Sequence, residues 1–306
     1  MEILKFDKVE TEVINMYGLE KFEKSLIEEG IAEGTIHTYT YHIKEYFDWL
    51  LGSGEVEFKR LYRQNILEYI SYLKNIRKTD YKTGEKHSLS GKTINLKLVS
   101  IAKYNRIMQP DEIVIKKTDY IKIHENLVNP TDITKEEVST FRQKLLQSEG
   151  CSNVRNYTIA TLIAYSGLRI SEVLDLKLQD ISYQTYVILV RNGKGGKQRC
   201  VIVNSKVINA IREYVKIRNP EVESEYLFCN KQGKKLNRST INTAFASVSD
   251  RITPHTLRHF YCSNAMESGL FTIQEIAAQA GHSSLNTTMK YVHPNLEKIK
   301  EKAELL

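Results

Sequence analysis

The spacing of apolar residues constrains this chain more than any other feature. Through most of its length they return every three or four positions, as on one face of a helix, and in the second half that period breaks. Tyr186, Val187, Ile188, Leu189 and Val190, then Cys200, Val201, Ile202 and Val203, are short runs rich in β-formers. They flank Asn192-Gly-Lys-Gly-Gly196. Such runs around an Asn-Gly turn specify an antiparallel hairpin. The expected fold class is therefore α+β: mainly α with a small antiparallel β-sheet.

Helical spacing in the first part is explicit. With Thr35 as expected N-cap, Ile36, Tyr39, Ile43, Tyr46, Phe47 and Leu50 predict a helix over Ala32–Gly52, stopped by Gly52. Leu61, Ile66, Leu67, Tyr69, Ile70 and Leu73 predict another, and Ser90 opens a third through Ile94, Leu98, Ile101 and Ile107. With Gly18–Glu29 they make a four-helix bundle over residues 15–110, in which Arg77–Ser90 reads as a loop. Pro110 and Pro130 bracket a segment without helical period, taken as an interdomain linker over 111–130. A second domain fills 131–306, opening on the capping box Thr134-Lys-Glu-Glu137. A short hairpin is expected around Tyr226–Leu236.

Charge narrows the partner. The 306 residues carry a net +7, a modest excess, but it is unevenly placed. Residues 1–58 hold 5 basic and 13 acidic side chains; residues 59–106 hold 12 and 3. Such segregation concentrates positive surface for an acidic partner. Cys151, Cys200, Cys229 and Cys262 are too few and scattered for a disulfide scaffold or a zinc site. The first residues lack the apolar core of a secretory signal, and no stretch approaches a membrane span, so a cytoplasmic protein is expected.

Four local patterns carry candidate chemistry: Ser-Gly-Leu-Arg169-Ile-Ser-Glu172; Gly-Lys194-Gly-Gly-Lys197-Gln-Arg199; Pro-His255-Thr-Leu-Arg258-His259; and Gly-His282 followed nine residues later by Tyr291. Each alone has an ordinary reading. Arg169 could simply pair with Glu172 on a helix face, and the glycine-rich turn could be a hairpin tip. That turn is not a P-loop, since Arg191 and Gln198 stand where Gly and Ser/Thr are required. His255 and His259 share a helix face as zinc ligands do, but Thr256 replaces the glutamate of that motif and no third ligand is evident. Tyr291 is one of 18 tyrosines.

Together the patterns make a phosphoryl-transfer set. Guanidinium forks grip phosphate oxygens in two places and keep their charge. Two of them can neutralise a pentavalent phosphoryl transition state without a metal. A tyrosine hydroxyl is a weak nucleophile that needs a proton acceptor. Pro254 suits the first turn of a helix, which puts His255 near its positive end.

Arg169, Lys194, His255, Arg258, His282 and Tyr291, in this order, resemble the signature of the tyrosine recombinase family, the phage-integrase and Xer-type enzymes. The specific motifs lie within roughly 130–295; residues 15–110 match only as the family's helical core-binding DNA-binding domain. The resemblance implies a C-shaped clamp of that domain and a catalytic domain over 131–306. It further implies that Tyr291 attacks the scissile phosphodiester, forming a 3′-phosphotyrosyl link and freeing a 5′-hydroxyl. Arg169, supported by Glu172, and Arg258 would hold the non-bridging oxygens. His255 would handle the nucleophile's proton, and His282 would donate to the phosphate. Lys194 would protonate the departing oxygen, with Lys197 as the alternative acid. No cofactor or metal is implied.

The implied partners are double-stranded DNA with a core site of inverted repeats and three further copies of the chain, a homo-tetramer exchanging strands through a Holliday junction. Lys92, Lys97, Lys103, Arg106, Lys197 and Arg199 are the expected DNA contacts. Leu296, Ile299, Lys300, Ala303 and Leu305 form a stripe at helical spacing that either folds back onto its own domain or, as the resemblance implies, passes to a neighbouring copy. Were 282–291 one straight helix, His282 and Tyr291 would lie about 13 Å apart along its axis. The chain must turn between them, or the tyrosine must serve another subunit. Transposon cointegrate resolution, Xer-like dimer resolution and integration all remain open. So do two other readings, type IB topoisomerase-like relaxation and a DNA-binding protein without catalysis.

Overall fold

The computed structural model describes residues 18–52, 60–80, 86–123, 133–148, 152–191, 193, 198–218, 223–282, 284–289 and 291. The chain divides into two compact units, 1–124 and 125–306.

The first unit is built on four helices: α1 (Leu19–Glu28), α2 (Glu33–Gly52), α3 (Arg63–Asn75) and α4 (Gly91–Met108). Their apolar faces close on Phe22, Ile43, Tyr46, Phe47, Tyr69, Leu98 and Ile101, each 1 % exposed or less. Ser90 caps α4, its hydroxyl accepting from the Thr93 N–H at 3.1 Å. Helix α2 starts at Glu33, so Thr35 lies in its first turn rather than capping it. Two three-residue strands, β1 (Lys78–Asp80) and β2 (Lys86–Ser88), pair antiparallel where a loop was expected.

The expected linker needs a correction. Val114 and Ile115 are buried in the first unit's core, and Arg63 donates twice to the Asp119 carboxylate, at 2.5 and 2.8 Å. Through residue 123 the described part of that segment belongs to the helical unit; 124–130 lie outside the described residues.

The second unit packs α5 (Lys135–Gln147), α6 (Asn153–Ser166), α7 (Ile170–Asp175), α8 (Ser205–Ile217), α9 (Arg238–Ala246) and α10 (Pro254–Ser268) around an apolar core. Helices α11 (Ile273–Ala280) and α12 (Leu285–Met289) follow. The Thr134–Glu137 capping box forms as the sequence indicates, with both reciprocal bonds present. The sheet has three antiparallel strands, β3 (Ile181–Ser182), β4 (Val187–Val190) and β5 (Arg199–Ile202). Val187 pairs with Ile202 and Val190 with Arg199, so the hairpin register brings Arg199 to the loop end of β5. Around 226–236 the structure has isolated bridges rather than strands, Cys229 with Lys235 and Tyr226 with Lys177. Most of the hairpin loop (Asn192 and 194–197) and 292–306 lie outside the described residues, so Lys194, Lys197 and the apolar stripe do too.

Candidate active site

Three stretches of the second unit line one recess, a fourth sets Tyr291 against His259, and local chemistry explains the placement. Helix α6 ends at Gly167, whose left-handed backbone (φ 67°) reverses the chain. Arg169 then stands just ahead of α7. Its N–H donates to Glu172 Oε2 at 2.8 Å, and its Nη1 to Glu172 Oε1 at 2.9 Å. The guanidinium is tied further to the Gly281 carbonyl at 2.7 Å. Arg169 thus does pair with Glu172, while remaining partly exposed.

Helix α10 begins with Thr253 as N-cap and Pro254 in its first turn, which sets His255 at the positive end of the helix. One turn on, Arg258 is 6 % exposed and donates Nη1 to the Gly167 carbonyl at 2.5 Å. Arg169, Arg238, Pro254, His255 and Arg258 line a recess of about 230 Å³. Burial, with the Arg169 charge beside it, lowers the Arg258 pKa to about 10, still fully protonated at neutral pH. Two guanidiniums that repel each other across a recess are offset by an anion seated between them.

Glu172 is 2 % exposed. Burial alone would raise its pKa, but the hydrogen bonds and charges of Arg199 and Arg169 outweigh it, and the carboxyl titrates below its ordinary range. Arg199 corrects an expectation. Its guanidinium grips both Glu172 oxygens at 2.9 and 2.8 Å and reaches the Gln279 carbonyl at 3.2 Å. It joins β5 to α7 and α11 rather than facing DNA. Gly281 completes this joint, since a Cβ there would stand 2.6 Å from the Arg199 Cζ.

The chain does turn before the tyrosine. Helix α11 stops at Gly281 (φ 66°), α12 runs only from Leu285 to Met289, and the Tyr291 N–H closes a turn on the Thr288 carbonyl. His282 Nδ1 lies 2.8 Å from Thr288 Oγ1, and its ring stacks at 7° to the Tyr291 ring, centroids 6.3 Å apart. Tyr291 is 6 % exposed, packed with Cys262, Ala265, Ile276 and Ala280. Its Oη lies 2.5 Å from His259 Nδ1, and His259 Nε2 lies 2.7 Å from His255 Nε2. The phenol therefore meets His259 of its own chain, and His255 stands one imidazole further out.

Burial lowers the pKa of His259 and His282 to about 4, helped by His255 and Arg258 at the first and by Arg258 and Arg169 at the second. His255 is lowered too, by burial and then the charges of Arg258 and Arg238. All three rest neutral at pH 7. Burial pushes the Tyr291 hydroxyl above its ordinary value, so it stays protonated until a base acts on it.

In the sequence His259 stands out only as a rejected zinc partner of His255, and Arg238, which lines the recess, belongs to none of the four patterns. Among the described residues, no three His, Cys, Asp or Glu side chains cluster as metal ligands.

Comparison with known proteins settles the family. The sequence model of the phage integrase family matches residues 131–298. A relative named TnP I resolvase, from Bacillus thuringiensis, is 45% identical over 94% of this chain and 98% of its own. The chain belongs to the phage integrase family of tyrosine recombinases. As such it is an enzyme of site-specific DNA recombination. This recombinase is also 30% identical to the tyrosine recombinase XerA of Thermococcus onnurineus, over 94% of the chain and 95% of that relative. Its fold matches XerH bound to its difH substrate in a pre-cleavage complex (TM-score 0.66, 21% identity, 94% of this chain and 83% of that one). The Tn1549 transposon integrase with circular intermediate DNA gives the same TM-score at 17% identity, over 94% and 98% of the two chains. No described helix is long and apolar enough to cross a membrane.

Of the expected contacts in the first unit, Lys97 is corrected. It is 5 % exposed and ion-paired with Glu45, so its ammonium is not presented at the surface. Lys103 pairs with Glu29, as does the exposed Arg106 at 3.9 Å, whereas Lys92 is exposed.

Proposed function

We propose that this recombinase cuts and rejoins double-stranded DNA at a core site of inverted repeats through a 3′-phosphotyrosyl bond to Tyr291. One observation carries the reading: a single chain sets the Tyr291 hydroxyl against His259, next in sequence to Arg258, while Arg258 and Arg169 line one anion-sized recess. Arg169 and Arg258 hold the non-bridging oxygens, and Glu172 fixes Arg169 through two bonds. His282, braced by Thr288 and stacked on the Tyr291 ring, donates to the phosphate. Lys194 protonates the departing 5′-oxygen. The helical unit, which extends through residue 123, is the core-binding domain, residues 131–306 are the catalytic domain, and four copies act together on synapsed DNA. The biological task is resolution of transposon cointegrates in the cytoplasm, supported by the near full-length likeness to a resolvase. Xer-like dimer resolution is the second reading, supported by the full-length likeness to XerA.

A nicked suicide duplex tests the chemistry, since it traps covalent protein–DNA adduct. The wild-type protein forms adduct, and forms it in EDTA, because guanidiniums supply the charge a metal would bring. Tyr291→Phe binds the site and forms none. Adduct from that variant, or strict dependence on magnesium, would overturn the reading.

A further inference from the structure

The placement of His259 has chemical content of its own. Both of its ring nitrogens are engaged in line: Nδ1 on the Tyr291 Oη at 2.5 Å, Nε2 on His255 Nε2 at 2.7 Å. The two imidazoles meet edge to face, centroids 4.2 Å apart at 86°. One turn of α10 separates them, which is why they share a face, and the turn after α12 lowers the phenol onto the inner one. Exposure rises along the line, from buried Tyr291 to half-buried His259 to exposed His255. These three groups form a path from a sheltered hydroxyl to solvent.

We propose that His259 is the immediate base for Tyr291 and relays its proton to His255, a reading that rests on Tyr291 being the nucleophile. In the cleavage step the Oη–H bond breaks and its proton goes to His259 Nδ1. The proton on His259 Nε2 passes to His255 Nε2. The phenolate oxygen forms its bond to phosphorus as the bond from phosphorus to the 5′-oxygen breaks, and that oxygen takes a proton from Lys194. His259 ends neutral in its other tautomer, and His255 ends as the imidazolium. In rejoining, the 5′-hydroxyl attacks, the tyrosyl oxygen leaves, and the protons run back along the same line. His259 suits the inner place because burial keeps it neutral at rest, with one nitrogen open to accept. His255 suits the outer place because it can exchange its proton with water.

The test is single-turnover adduct formation on the suicide duplex by His259→Gln. A glutamine oxygen still accepts from the phenol but cannot pass a proton through. Cleavage falls by about a hundredfold or more, the range of a lost general base, with site binding unchanged. A fluorinated, more acidic tyrosine at position 291 loses its proton more easily, so it recovers most of that loss in His259→Gln and changes the wild-type rate only slightly. Because this rescue compares two tyrosines on one His259 variant, any shared folding defect cancels; His259→Asn repeats it on a second background. Cleavage by His259→Gln within about threefold of wild type, or equal effects of the fluorinated tyrosine on both backgrounds, would overturn the relay. Tyr291→Phe separates the two failures. Adduct there defeats the nucleophile assignment, whereas an inert Tyr291→Phe beside a fast His259→Gln defeats the relay alone.

Discussion

Glu172 accepts four hydrogen bonds at once, two from Arg169 and two from Arg199, while almost wholly buried. Glu172→Gln keeps the shape and removes the charge, leaving both guanidiniums underpaired. Breaking a buried ion pair from one side costs about 3–5 kcal/mol. The variant is therefore expected to unfold at markedly lower denaturant and to form adduct at least about tenfold more slowly, since Arg169 loses its brace. Unchanged stability would show that the carboxylate contributes little. At this scale the sequence shows which residue types gather, because Arg, His and Tyr in that order have a shared chemistry. It does not show who touches whom. His255 and His259 are equivalent by spacing, and only the return of the chain after α12 decides which one meets the phenol. Arg199 ends a basic turn and so looks like a DNA contact; strand register sends it inward to Glu172 instead.

The hairpin and the capped helices are legible because their signals are local: an Asn-Gly turn, a Thr-x-x-Glu box, Pro254 in a first turn. Strands of two or three residues, such as β1 and β3, carry no readable period. Val114 and Ile115 are buried while the adjoining Ile113 is exposed, and an apolar run of three residues is too short to show a period. Turns between elements carry the site. Gly167 ends α6 with positive φ, lends its carbonyl to Arg258, and would place a Cβ 2.3 Å from Tyr261 Cδ1. Gly167→Ala should cost at least about 1–2 kcal/mol, the strain of a left-handed residue with a side chain, plus the displacement of Tyr261. Its expected signature is a lower denaturation midpoint together with slower cleavage, because Arg258 loses a fixed acceptor. A variant as stable and active as wild type would mean the backbone adapts freely there.

Across the whole molecule, charge segregation overstates the surface available to DNA. The acidic first segment and the basic second one partly neutralise each other inside the helical unit, Glu45 holding Lys97 and Glu29 holding Lys103. A linear count of charges is blind to such pairing across helices. The site, in contrast, is assembled within the second unit, with the Tyr291 hydroxyl on its own chain's His259. Cleavage by each protomer with its own tyrosine is the central claim. It is tested by mixing Tyr291→Phe and Arg258→Ala proteins, each inert alone, on the suicide duplex beside a wild-type control. With nucleophile and clamp on one chain, no mixed pair completes a site, so the mixture should form no adduct. Adduct at levels approaching the control would show that the tyrosine is delivered to a neighbour's arginines, and would contradict the account.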